Sequence, residues 1–277
     1  MSQRWLITGS SRGIGRALAE AVLQAGHRLV ATARDPKQLE DLSNRFGKSV
    51  CVTPLDVTDP ADAGRAVQTA VHEFGGLDVL VNNAGYGNVN SVEDTPLEDF
   101  RAQIETNLFG TIIVTKAAIP LMREQRSGRI IQISSVGGRV GAPGRAAYSA
   151  AKWGVEGFSE VLAREMALIG VKVTVVEPGG FRTDFAGSST VLEAGRPEYD
   201  AVVGATARMQ QEYNGRQPGD PLLAARVILE VAAMDEPPFR LALGSDAVGA
   251  IVKADLARLT EVERWRKLSV STDFPAG

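Results

Sequence analysis

Short apolar runs alternate along the chain with longer stretches of helical periodicity. Arg4 to Thr8, Arg28 to Ala33, Val50 to Leu55, Leu77 to Val81, Arg129 to Ile133 and Lys172 to Val176 are brief and rich in Val, Ile and Leu. They are apolar on successive rather than alternate residues, the pattern of strands covered on both faces. Helical patterns fill the intervals at Arg16 to Gln24, Lys37 to Phe46, Pro60 to Phe74, Leu97 to about Arg126, and from just before Tyr148 to about Ile169. In the long fourth pattern Phe100, Ile104, Leu108, Ile112, Thr115 and Ile119 share one side. Alternation of this kind predicts an α/β fold, a doubly wound parallel sheet with helices on both faces.

The C-terminal third is less regular. Residues 186–220 are rich in Gly, Ser, Glu and Arg, with Leu192, Tyr199, Met209 and Tyr213 scattered through a helical segment. A long segment in that position suits a substrate lid. Leu222 to Met234 reads as a helix and Phe239 to Leu243 as a seventh strand. Val248, Ile251, Val252, Leu256, Leu259, Val262 and Trp265 then recur at helical spacing, a stripe expected to dock on the core or on a partner subunit. The expectation is one domain over residues 1–277 with a helical elaboration at about 245–277.

Composition narrows the function. Hydrophobic residues make up 44% and charged residues 23%, ordinary globular usage that argues against disorder. A formal charge of -3 gives no electrostatic footprint for nucleic acid or an anionic membrane, which leaves a small molecule as the default partner. Cys51 is the only cysteine, so an intrachain disulfide is impossible, and its apolar run suggests a buried small hydrophobe. His27 and His72 have no ligand cluster around them, so no metal site is expected. Without a spanning apolar run or a leader-like N-terminus, the simplest expectation is cytoplasmic.

The candidate chemistry falls just after the strands, and the fold would gather it at one sheet edge. Gly9-Ser10-Ser11-Arg12-Gly13-Ile14-Gly15 follows the first strand and opens a helix. Backbone N–H groups in such a turn can approach a phosphate at a helix N-terminus, the use made of it in Rossmann-type folds. Its spacing is Gly-x-x-x-Gly-x-Gly, not Gly-x-Gly-x-x-Gly. After the second strand, Asp35 reads as an N-cap ahead of Pro36, and Arg34 and Arg12 could both reach a 2′-phosphate, which favours NADP(H) over NAD(H). Asp56-Val57, Asn82-Asn83-Ala84-Gly85, Ser134-Ser135 and Pro178-Gly179 to Thr183 end the next strands. Tyr148 and Lys152, four apart on a helix, share a face, so an ammonium there could lower the phenol pKa from about 10 and equip it to trade a proton with an alcohol or carbonyl. Asn107, in mid-helix, reads as solvent-facing on propensity alone.

Thr8-Gly9-x-x-x-Gly13-x-Gly15, Asn82-Asn83-Ala84-Gly85, Ser135, Tyr148-x-x-x-Lys152 and Pro178-Gly179, in this order over residues 4 to about 185, resemble the short-chain dehydrogenase/reductase family. The resemblance implies Tyr148 as acid/base and Lys152 as the residue that lowers its pKa and binds the nicotinamide ribose. It implies Ser135, rather than Ser134, as the hydroxyl holding the substrate oxygen, and Asn107 as the holder of a water leading to Lys152. Gly9, Ser11, Arg12, Gly13, Ile14, Gly15, Arg34, Asp56, Val57, Asn83, Ala84, Gly85, Pro178, Gly179 and Thr183, with Tyr148 and Lys152, match cofactor-contacting positions. The implied function is interconversion of a carbonyl and an alcohol on a small apolar substrate, as Phe185, Met209 and Tyr213 also hint. An NAD-dependent secondary-alcohol or hydroxysteroid-type dehydrogenase and a non-catalytic cofactor-binding regulator are the alternatives. Helices at about 97–126 and 146–169 commonly pair subunits in that family, which implies a homodimer or homotetramer.

Overall fold

The computed structural model describes residues 2–187 and 190–274. Its strands are β1 (Arg4–Ile7), β2 (Arg28–Ala33), β3 (Val50–Pro54), β4 (Val79–Asn82), β5 (Gly128–Ile133), β6 (Val171–Pro178) and β7 (Arg240–Leu243). All pair in parallel, in the order β3-β2-β1-β4-β5-β6-β7. The chain runs outward from β1 to β3 and then returns to lay β4 on the other side of β1. The carboxyl ends of β1 and β4 therefore flank the switch point where open α/β sheets bind ligands.

Among the described residues the α-helices are α1 (Gly13–Gln24), α2 (Glu40–Phe46), α3 (Pro60–Phe74), α4 (Leu97–Ile104), α5 (Gly110–Gln125), α6 (Ala146–Ala167), α7 (Ala205–Tyr213), α8 (Pro221–Ala233) and α9 (Ser245–Val270). Their boundaries follow local chemistry. Asp59 accepts from Ala61 N–H at 2.7 Å ahead of Pro60, and Gly75 at φ +79° ends the same helix, α3. Successive strand residues feed opposite layers, which explains the unbroken apolar runs. Trp5, Ile7, Leu29 and Ile131 pack with α1 and α8, whereas Leu6, Val30, Leu80 and Ile130 pack with α3, α5 and α6.

Three sequence expectations change. The helix expected over 97–126 contains a π turn at Glu105–Phe109, one of the insertions that commonly mark functional positions. Its docked face is Gln103, Asn107, Thr111, Val114, Ala118 and Met122, while Phe100, Ile104, Leu108, Ile112 and Ile119 lie only half-buried. The apolar stripe of α9 is mostly uncovered: Ala247 and Ile251 are buried, but Val252, Leu256, Leu259, Val262 and Trp265 are exposed. This helix meets β7 and the loop after β5, where Asp255 pairs with Arg139 at 2.5 Å, and the side of it bearing Arg258 covers Trp153. Residues 275–277 lie outside the described part. Cys51, on edge strand β3, is half-buried rather than buried, and that burial pushes its thiol pKa up, away from the reactive thiolate.

The segment expected as a lid is docked. Ser188 and Ser189 lie outside the described residues, and from Thr190 onward the chain packs over the loop that follows β4. Val89 N–H donates to Val191 O and Glu193 N–H to Val89 O, both at 2.9 Å. Val89, Val203 and Ala207 form a small apolar cluster with Leu192 and Tyr199. Tyr199 also donates to Glu93 Oε2 at 2.6 Å.

Candidate active site

The loops after β1 and β4 are tied into one wall of the switch-point crevice. Thr8 Oγ1 accepts from the N–H groups of Asn83 at 2.9 Å and Ala84 at 3.0 Å. Asn83 Nδ2 returns hydrogen bonds to Thr8 O at 2.9 Å and Gly9 O at 3.0 Å. Gly9 has φ +67°, and a Cβ there would lie 3.0 Å from Ala84 Cα. The Asn83 amide therefore braces the glycine turn. Gly15, one helical turn into α1, fits beneath this brace, and a Cβ on it would run into Asn83 Nδ2 and Gly9 O. Gly15→Ala is expected to cost about 1 to 3 kcal/mol by overpacking and to weaken dinucleotide binding, measured by thermal unfolding with and without NADPH. Unchanged midpoints in both conditions would contradict the bracing role.

Around that turn the predicted positions divide into those that face the crevice and those that support it. Ser11 and Ile14 are half-buried, and Ile14 packs on the α1–α8 layer. Arg12 is exposed and provides no side-chain cap to α1, so the N–H groups of the helix start remain available to an anion. Gly13, at φ +60°, lies under Thr183, whose Cβ is 3.5 Å from where a Gly13 Cβ would be. Arg34 is exposed and, among the described residues, makes no hydrogen bond or ion pair. Asp56 caps its own loop: hydrogen bonds from Thr58 N–H and Oγ1, at 3.0 and 2.7 Å, hold its carboxyl pKa down, with a smaller push from the Arg34 charge. Val57 is buried against Gly110. Pro178 is buried, and Gly179 N–H donates to Leu243 O at 2.9 Å.

Tyr148 and Lys152 lie deeper, 6% and 4% exposed, on one face of α6. The Tyr148 ring sits against Phe185, centroids 5.5 Å apart, and Gly87 packs so closely that a Cβ would come within 2.7 Å of Cδ2. Lys152 Nζ lies 5.8 Å from the ring centroid and donates to Ile133 O at 2.8 Å. Burial pushes the Tyr148 pKa up, against the pull of its hydrogen bond with Ser135 and of the Arg145 charge. Burial also lowers Lys152 to about 8, with the Glu156 carboxylate opposing. The sequence suggested an ammonium drawing the phenol down, whereas desolvation dominates both groups and favours their neutral forms.

Geometry separates the two serines. Ser135 Oγ accepts from Gly137 N–H at 3.0 Å and pairs with Tyr148, whereas Ser134 is buried behind it with its hydroxyl against Gly138. Asn107 is fully buried within the π turn, not facing solvent. Its Nδ2 donates to Tyr86 O and Gln103 O at 2.8 Å, and its Oδ1 accepts from Tyr86 N–H at 3.2 Å. It thereby clamps the loop carrying Gly85, whose Cβ, if present, would lie 2.5 Å from Asn107 Oδ1 and 3.6 Å from Lys152 Nζ. Tyr86, Gly87, Arg145 and Gln210 line the same region, and sequence spacing offers no signal for any of them.

These features fit a dinucleotide. The glycine turn admits close backbone approach, Arg34 has an unengaged guanidinium at the end of β2, and Lys152 directs one hydrogen bond at Ile133 O with further N–H groups to offer. Among the described residues no group of three or more His, Cys, Asp and Glu is arranged to hold a metal ion, and no helix is long and apolar enough to cross a membrane.

Comparison with known proteins agrees with the geometry. The family model described as short chain dehydrogenase matches residues 3–192. An oxidoreductase of Botryotinia fuckeliana is 48% identical over 273 residues, spanning 98% of this chain and 100% of the relative. The crystal structure of a short-chain dehydrogenase from Streptomyces avermitilis superposes with a TM-score of 0.91 at 39% identity, covering 99% of this chain and 100% of the other. An alcohol dehydrogenase of Thermococcus sibiricus complexed with 5-hydroxy-NADP gives a TM-score of 0.73 at 25% identity, covering 88% and 96%.

Proposed function

The chain belongs to the short-chain dehydrogenase family, and from that premise we propose that it is an NADP(H)-dependent oxidoreductase interconverting a carbonyl and an alcohol. The observation that carries this reading is the group formed by half-buried Ser135 with buried Tyr148 and Lys152 at the carboxyl edge of the sheet, beside the glycine turn. When bound, the nicotinamide supplies or accepts hydride; the protein supplies position and protons.

In reduction Ser135 Oγ holds the carbonyl oxygen beside the Tyr148 hydroxyl, and Tyr148 gives it a proton. A phenol whose pKa is raised by burial holds that proton at neutral pH, which suits donation. The Lys152 ammonium offsets the phenolate left behind, and its remaining N–H groups would hold the ribose of a bound cofactor. Asn107 acts at one remove by fixing the loop of Gly85 and Tyr86 against which this site closes. Phe185 gives the substrate an apolar wall, and residues 190–220 serve as its lid. An NADPH absorbance assay across a carbonyl panel tests the reading.

Arg34 supports the choice of NADP(H), because its exposed guanidinium at the end of β2, which makes no hydrogen bond or ion pair among the described residues, is available to a 2′-phosphate. Arg34→Ala is expected to weaken NADPH binding by about tenfold or more, the value of a charge-assisted hydrogen bond, with little change for NADH. Equal affinities of the wild type for the two cofactors would favour an NAD-dependent dehydrogenase instead.

A further inference from the structure

Arg145 immediately precedes α6, three residues before Tyr148, and its guanidinium carbon lies 5.9 Å from the Tyr148 ring centroid. Four other half-buried arginines are matched by carboxylates: Arg4 by Asp78, Arg16 by Glu20 and Asp41, Arg139 by Glu177 and Asp255, Arg240 by Glu156 and Glu160; Arg129, far from the site on β5, makes no ion pair among the described residues. Arg145 makes no ion pair among the described residues. Its side chain donates to the neutral amide oxygen of Gln210 on α7, one contact for a group with five N–H donors. Desolvation depresses its pKa, and the Tyr148 phenol is the single group whose charge opposes this.

The position is also electrostatically wrong for a structural cation. α6 is 22 residues long, with neither a side-chain cap nor an acidic residue in its first turn. Its N-terminal dipole repels an arginine and, like the arginine, attracts an anion. A half-buried, desolvated positive charge at a positive helix end is disfavoured unless a negative group arrives to balance it.

Resting on the carbonyl-reduction reading above, we infer that Arg145 and the start of α6 form a recognition site for an anionic group of the substrate. The substrate class is then an oxo compound with a carboxylate or phosphate a few bonds from its carbonyl carbon. The rest of the substrate lies along the apolar wall of Phe185, and Gln210 brings the lid into the same contact.

The test compares oxo acids bearing the carboxylate one, two or three carbons from the carbonyl with their methyl esters, and with a phosphorylated ketone, which separates the two kinds of anion. Two readouts are used: kcat/KM with NADPH, and calorimetric binding of the same compounds to the enzyme–NADP+ complex. The wild type is expected to favour at least one anion over its neutral counterpart by about ten- to hundredfold, and Arg145→Gln is expected to collapse that ratio. Arg145→Lys, which keeps the charge, is expected to retain part of it. Tyr148→Phe should lower turnover by about 10² to 10⁴ yet preserve the binding ratio. A protein that turns over none of these compounds but binds the anions through Arg145 would therefore refute the reductase reading and not the anion site. Equal affinity of the wild type for anions and esters, or a ratio unchanged in Arg145→Gln, would overturn the inference. Should the glutamine variant fail to fold, the wild-type ratio and the lysine variant decide it.

Discussion

Tyr148→Phe lowers turnover by about 10² to 10⁴, the range supplied by a positioned general acid, while NADPH still binds. The substitution removes one oxygen. The ring keeps its contact with Phe185 and its place against Gly87, so the packing of α6 on its neighbours is retained. Ser135 loses one partner but still accepts from Gly137 N–H at 3.0 Å, so its hydroxyl is not stranded. On the proposed reading, most of the cofactor affinity comes from the glycine turn, Thr183 and Arg34, none of which the substitution touches. Calorimetric titration with NADPH followed by a burst experiment therefore isolates the proton-transfer role: the variant should bind NADPH as the wild type does and show no hydride transfer on the wild-type timescale. Turnover within about tenfold of wild type, a loss of only about 1.4 kcal/mol of barrier lowering, would remove Tyr148 from the acid/base role.

The sheet was legible from the sequence because parallel strands covered on both faces leave unbroken apolar runs, and Trp5 and Leu6 do feed opposite layers. The convergence of the site was legible for the same reason, since topology alone sends the loops after β1, β4, β5 and β6 to one edge. What stayed hidden depends on contacts between segments distant in the chain. Asn107 reads as a poor helix former, and only its hydrogen bonds to Tyr86, 21 residues away, explain why the helix widens into a π turn to bury it. Asn83 reads as a ligand-facing amide, yet its Nδ2 is committed to Thr8 and Gly9. Arg145 looks like any loop arginine until α7 covers it. The α9 stripe has helical periodicity but, among the described residues, its Val252, Leu256, Leu259, Val262 and Trp265 stay exposed, and periodicity cannot report what a face meets.

Lys152→Met should lower turnover by about 10² or more by removing the charge that supports the phenolate, and it should also change how stability depends on pH. The native ammonium titrates at about 8 instead of its usual 10.5, because burial beside Ile133 disfavours the charged form. For activity the sign is direct. In reduction, kcat/KM should hold level below pH 8 and fall above it as Lys152 loses its proton, while Tyr148, raised by burial, still keeps its own. For stability, the unfolded lysine binds more protons than the native one between pH 8 and 10.5, so folding stability rises with pH across that window. The burial penalty is present in full below the window and relieved above it, and amounts to something on the order of 3 kcal/mol for this shift. Other groups titrate in the same range, so the diagnostic quantity is the difference between variant and wild type in urea unfolding. That difference, variant minus wild type, should shrink by the same amount as pH is raised through the window, because the methionine has no penalty to relieve. A difference that stays flat from pH 8 to 10.5 would mean that Lys152 is not held in a desolvated site and that its charge is secured by other means.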